Sequence, residues 1–147
     1  MGGLLEKYAD VTRGFRMMKP TTWNEFTGEP GAYDVRFVDV VSPVDSITLS
    51  TSAYTANPTI TALADAPKLG AKLAASRGEL VGTPRARESD GIVFYDFEFS
   101  SDVGHEILTM CVHKNKLWQM SAKAPEKSWA KRKDLYQNAV GSFVPKL

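Results

Sequence analysis

From residue 92 onward the chain alternates apolar and polar side chains with a period of two. Ile92–Ser100 (IVFYDFEFS) places Val93, Tyr95, Phe97 and Phe99 on one side and Asp96 and Glu98 on the other, which predicts a strand. His105–Lys114 repeats the pattern, with Leu108, Met110 and Val112 opposite His105, Ile107, Thr109, Cys111 and His113. Asn115 predicts a tight turn into Lys116–Lys123, where Trp118, Met120 and Ala122 share a face, so the last two strands should form a hairpin. The period then lengthens. In Pro125–Phe143, the residues Trp129, Tyr136, Val140 and Phe143 are spaced by seven, four and three, which is one face of a helix. Pro125 suits its start, Trp129 falls in its core stripe, and Lys127, Lys131 and Lys133 are expected toward solvent.

The first half is less regular. Gly14–Lys19 reads as a strand stopped by Pro20, and Thr21–Ala32, with Trp23, Phe26 and a GEPG turn at Gly28–Gly31, reads as loop. Tyr33–Val41 and Ser46–Ala53 are rich in β-branched and aromatic residues and predict two strands, with Pro43 and Asp45 marking the turn between them. Asp65–Ser76 predicts a helix capped by Asp65, with Pro67 in its first turn and an apolar stripe of Leu69 and Leu73. Gly70 weakens that helix by ~1 kcal/mol relative to Ala, so the helix must rely on packing. Leu80–Ile92 is expected to be a loop. Residues 1–11 are expected to be loosely attached, with a short helical turn around Leu4–Tyr8. The pattern as a whole is α+β: one domain over 14–147 behind a short tail at 1–13, built on an antiparallel sheet of about five to seven strands with helices packed on it.

Composition adds a few constraints. A chain of 147 residues that is 43% hydrophobic suits one core. Charged residues are 24%, with both signs interspersed and a formal net charge of +1, so no overall field directs the chain to nucleic acid or to an anionic membrane, which leaves room only for a local basic patch; a monomer is expected when it is free. No apolar run reaches the ~20 residues needed to span a bilayer. Met1–Asp10 lacks the apolar core of a secretory signal and is too short for a transit peptide, so an imported protein would have lost its address. The lone cysteine, Cys111, excludes an intrachain disulfide and a multi-thiolate zinc cage.

Catalytic patterns are absent from the sequence: there is no nucleophile elbow, no HExxH and no phosphate loop. Cys111 and His113 share a strand face, but no third group is placed to orient them, so no enzymatic role is expected. The basic residues Lys123, Lys127, Lys131, Arg132 and Lys133 read either as a solvated helix face or as an electrostatic docking surface for acidic loops of a partner.

Several segments, in order, resemble the PsbP family. They are GFRMMKPTTWNE at Gly14–Glu25, ITALADAP at Ile60–Pro67, GHEIL at Gly104–Leu108, KLWQMSAKAPEKSW at Lys116–Trp129 and AVGSF at Ala139–Phe143. Val35–Ser52 fits the family's next two strands, so the resemblance covers about residues 14–143. It implies the α-β-α sandwich that the family shares with the Ran-binding protein Mog1. It implies an extrinsic, non-catalytic protein of the chloroplast thylakoid lumen, held to the membrane by a protein partner. It also implies photosystem II as that partner, where the founding member helps the oxygen-evolving centre retain calcium and chloride. The short segment before Gly14 and the short Leu80–Ile92 connection extend the expectation to an assembly factor, or to an auxiliary subunit of photosystem I or NDH supercomplexes. The kinship with Mog1 adds a GTPase-binding regulator as a distant alternative. By resemblance, His105 and Glu126 match a His–acid pair linked to metal binding, which would make a lumenal carrier or site for Mn, Zn or Ca, with Asp102 and Glu106 within reach along the chain. The ordinary reading of the same pair is a surface hydrogen bond worth ~0–1 kcal/mol.

Overall fold

The computed structural model describes residues 4–28 and 32–147. In chain order its strands are β1 (Leu5–Asp10), β2 (Phe15–Pro20), β3 (Asn24–Thr27), β4 (Val35–Val38) and β5 (Ser46–Ala53). A 3-10 turn at Ile60–Ala62 leads to helix α1 (Ala66–Arg77). Then follow β6 (Glu79–Leu80), β7 (Arg85–Ser89), β8 (Ile92–Ser101), β9 (Gly104–His113), β10 (Lys116–Ala124) and helix α2 (Glu126–Gly141). The main sheet has eight strands in the order β3-β4-β5-β10-β9-β8-β6, with β7 also paired to β8, and every pairing is antiparallel. Strands β1 and β2 form a separate antiparallel pair.

Strand β9 is buried on both faces and β8 on one face and part of the other, and residue parity divides their buried side chains between two cores. Phe94, Ile107 and Cys111 face one side, where they meet Trp118, Met120, Trp129, Tyr136 and Phe143 under α2 and the β1–β2 pair. Tyr95, Phe97, Phe99, Leu108, Met110 and Val112 face the other, under α1 and the 3-10 turn. Helices on opposite faces of an antiparallel sheet make the expected α-β-α sandwich. Both helices lie where the periodicity placed them. Asp65 Oδ1 accepts a hydrogen bond from Lys68 N at 2.9 Å and caps α1. Leu69 and Leu73 pack into the second core, and Trp129 is buried in the first. Gly70 has a packing reason: a Cβ there would lie 2.9 Å from Pro84 Cγ and 3.2 Å from Phe97 Cδ1, so α1 sits flush on β8 only without one.

Four expectations are corrected. The sheet has eight strands, not about five to seven. Leu4–Tyr8 is no helical turn: Leu5–Asp10 pairs in full register with Phe15–Pro20, and Tyr8 packs edge-on to Phe37 at 5.1 Å. Part of Thr21–Ala32 is strand β3, an edge strand with every residue exposed, so it carries no apolar alternation to read; the GEPG turn extends outside the described residues. Leu80–Ile92 holds β6 in part and all of β7, joined to β8 by a two-residue turn with positive φ at Asp90 (53°) and Gly91 (76°). The Lys114–Asn115 turn, at φ 50° and 64°, has the same hand and lies where Asn115 predicted it.

Arg132 is buried rather than solvated. Its Nε donates to Asp45 Oδ2 at 2.8 Å and its Nη2 donates to Asp39, while Ser128 Oγ donates to Asp45 Oδ1 at 3.3 Å. The guanidinium also lies over Trp23, 5.2 Å from the ring centroid. This group clamps α2 to the β4–β5 loop, whose ends are tied by Asp39 N donating to Asp45 O at 3.2 Å. Removing one partner of a buried ion pair strands charge, so Arg132→Met is expected to lower the unfolding free energy by ~3–5 kcal/mol. Denaturant titration would measure this, and a loss under ~1 kcal/mol would show that the clamp is marginal.

His113 ends β9 with its Nε2 buried and unpartnered, and burial, aided by Lys114 and Lys146, holds its pKa below the ordinary imidazole value. The unfolded chain therefore binds the proton more readily than the fold does. The contribution of His113 to stability is complete above the unfolded value of ~6.5 and is lost as pH falls through it. Melts of wild type and His113→Asn should diverge below that pH by at most ~1.4 kcal/mol per pH unit. Parallel curves would assign acid sensitivity elsewhere.

Candidate functional site

The β8–β9 turn, the end of β10 and the start of α2 meet at one end of the sheet. Gly104 opens β9 at φ 137°, and a Cβ there would fall 2.2 Å from the Ala124 carbonyl oxygen. Only glycine lets β9 begin so close to the chain entering α2. That approach brings His105 to α2: its ring stacks on Trp129, with centroids 4.7 Å apart and planes 6° from parallel, and its Nε2 lies 2.8 Å from Glu126 Oε1. The imidazole is 14% exposed and the carboxylate 76%.

The structure thus brings His105 and Glu126 together, and the arrangement limits what they can do. His105 Nδ1 is buried and has no hydrogen-bond partner. If Nε2–H donates to Glu126, Nδ1 is a bare acceptor and no donor is stranded. A metal on Nε2 would move the proton to Nδ1, where the N–H would be buried unpaired at a cost of ~1–3 kcal/mol. Metal-binding histidines instead donate that second N–H to a carboxylate or carbonyl. The remaining candidates do not fill the gap. Glu106 faces the other side of the sheet, where it accepts from Arg77 Nη1 and Ser121 Oγ. Among the described residues no group of three or more His, Cys, Asp or Glu is placed to hold an ion, Asp102 included. Among the described residues, His105 and Glu126 bring one nitrogen and one carboxylate together, and any ion held there would need further ligands.

Lys127 and Lys131, four residues apart, are exposed on the flank of α2 next to Ser128 and Arg132, beside the β4–β5 loop. Lys133 is half-buried, and at 100° per residue it falls on the opposite flank, by Trp129. The lysines singled out in the sequence therefore divide, and Lys123, exposed at the end of β10, joins Lys127 and Lys131 at this end of the sheet. Cys111 is fully buried, and burial pushes its thiol up to about 12, so it holds no thiolate for nucleophilic attack near neutral pH. Sequence reasoning missed the role of Arg132. Its signal lay in the two aspartates bracketing an apolar loop, but nothing local marked which cation would reach them.

The family model described as PsbP matches residues 3–144. The chain is similar to CyanoP of Synechocystis sp., with 26% identity across 95% of this chain and 82% of that protein. It is also similar to CyanoP of Thermosynechococcus vestitus, with 20% identity across 95% and 85%. Its fold matches the solution structure of cyanobacterial PsbP (CyanoP) from Synechocystis, with a TM-score of 0.76 and 22% identity over 95% of this chain and 91% of that one. With a family match spanning nearly every described residue and the same sandwich in a solved relative, this chain belongs to the PsbP family.

Proposed function

We propose that the chain is a non-catalytic extrinsic protein of the thylakoid lumen that binds a photosynthetic membrane complex, photosystem II above all, and stabilises or helps assemble it. The observation that carries this reading is the PsbP match over residues 3–144, joined to relatives that align with 95% of this chain. The surface agrees with a docking role. No helix among the described residues is long and apolar enough to cross a membrane, and the exposed Lys127 and Lys131 offer a positive flank to acidic loops. Support of the oxygen-evolving centre, including retention of calcium and chloride, would follow from docking beside it rather than from ion binding by this chain.

Attraction between exposed charges is screened beyond ~10 Å at 0.1 M salt, so docking through this flank is salt-sensitive. The tagged protein is expected to co-purify with photosystem II from solubilised thylakoids and to be released by moderate salt. The double variant Lys127→Glu/Lys131→Glu should cut retention at least ~10-fold, the equivalent of ~1.4 kcal/mol. Recovery with photosystem I or NDH complexes instead would redirect the partner assignment, and unchanged retention of the variant would move docking to another face.

In this reading His105 and Glu126 form a hydrogen-bonded strut between β9 and α2. Calorimetry with Mn, Zn or Ca at neutral pH is expected to give no heat that His105→Ala removes. A saturable heat lost in that variant would restore the metal-carrier reading.

A further inference from the structure

Four exposed valines project from the same end of the sheet. Val40, Val41 and Val44, exposed to 53%, 87% and 64%, lie on the β4–β5 loop, and Val103, at 85%, lies on the β8–β9 turn. The pairing puts the two loops at one end: β5 begins at Ser46 opposite Lys123, Ala124 pairs with His105, and Gly104 pairs with Ser101. Val44 and Val103 line one open depression of about 590 Å³, together with His105, Lys123 and Pro125. Lys123, Lys127 and Lys131 stand around this end. Its exposed carboxylates are Asp102, Glu126 and Glu79; Glu126 is turned to His105, and Glu79 lies on β6 opposite Ser100, on the side away from the β4–β5 loop. The opposite end differs, because its turns are Asp90–Gly91 and Lys114–Asn115.

We propose that this valine-tipped, lysine-flanked end of the sandwich rests on an anionic lipid bilayer. The side chains favour a lipid surface over a peptide partner. Protein interfaces draw their affinity from Trp, Tyr and Arg seated in pockets, with Val and Lys under-represented. Here the apolar groups are short and separate and protrude from loop tips, which suits shallow burial at the acyl boundary. Lysines are point charges without the planar fork of arginine, which suits a diffuse layer of headgroup charge. Each lysine held near such a surface raises partitioning about fivefold. The loop is presented ready-made: Arg132 holds Asp39 and Asp45 at its two ends, and Asp45 N donates to Ser42 O at 2.9 Å within it. Little ordering cost then falls on the bound state. This contact shares its lysines with the docking reading above, and it would seat the protein on the lipid beside the complex.

The test uses protein-free vesicles, so its outcome is independent of the complex. The full chain is sedimented with vesicles of phosphatidylcholine containing phosphatidylglycerol, and with vesicles of phosphatidylcholine alone. Binding is expected to the anionic vesicles only, falling with salt. It should fall at least ~10-fold in Val41→Asp/Val103→Asp and in Lys127→Glu/Lys131→Glu, at unchanged melting temperatures. Val41→Trp should shift its emission to the blue on the anionic vesicles. No vesicle binding, or binding lost with the lysines but indifferent to the valines and without an emission shift, would overturn the proposal. Retention on solubilised photosystem II in that same case would leave the protein-docking reading standing.

Discussion

Strand β9 is buried along nearly its whole length on both faces, and its neighbour β8 contributes to the same two cores. Because β9 points apolar side chains to both sides, joined by Phe94 of β8 on one and Tyr95, Phe97 and Phe99 on the other, the sheet must be covered twice, and one helix cannot do it. The chain meets that demand with α1 on one face and α2, assisted by the β1–β2 pair, on the other. A one-residue slip of β8 against β9 would exchange the two sets, setting Asp96 and Glu98 where Phe97 and Phe99 belong. The register therefore fixes where the helices dock. The site depends on the adjoining β9–β10 register, which pairs His105 with Ala124 and so sets Gly104 against the chain entering α2.

The polar groups that remain inside are arranged around the same constraint. Asp96, on the α2 side of β8, accepts from Thr109 Oγ1 at 2.7 Å and Arg87 Nε at 2.7 Å, so strand β7 supplies the cation for a half-buried carboxylate. Arg87 in turn stacks over Phe94, 4.6 Å from its centroid. Glu106 is matched by Arg77 from the end of α1, and Asp39 and Asp45 by Arg132 from α2. In each case an arginine from an added element answers a carboxylate held by the sheet or its loops. Geometry of this kind contributes more to a unique arrangement than to net stability.

The sequence made legible those elements whose side chains meet a core on a regular period. Leu108, Met110 and Val112, Trp118, Met120 and Ala122, and Trp129, Tyr136 and Val140 all lie on the faces their spacing predicts. What it hid has physical reasons. Strand β3 is exposed throughout, and β7 is made of Arg, Ala, Glu and Ser, so neither carries a hydrophobic signature. The Asp90–Gly91 pair was a usable turn signal between β7 and β8. Leu5 and Tyr8, three apart, fit one helical turn as well as a strand, and only the pairing with β2 decides. His105 and Glu126 could be placed near each other from the hairpin and helix, but the unpartnered Nδ1 that limits their chemistry could not be read from residue types.

The pairing scheme also bears on how the fold is reached. Strand β5 finds its other neighbour only in β10, joining Ser46 to Lys123, and β2 meets Val144 through Arg16. The early strands thus wait for the last third of the chain, and closing such distant contacts precedes any reward for them. A chain without its last third has the local β1–β2 and β3–β4–β5 pairings, with one edge of β5 unpaired and the β8–β9 face under α1 missing. Closure of the sandwich around β9 and β10 is therefore expected to come late and to join the separately paired strands in one step.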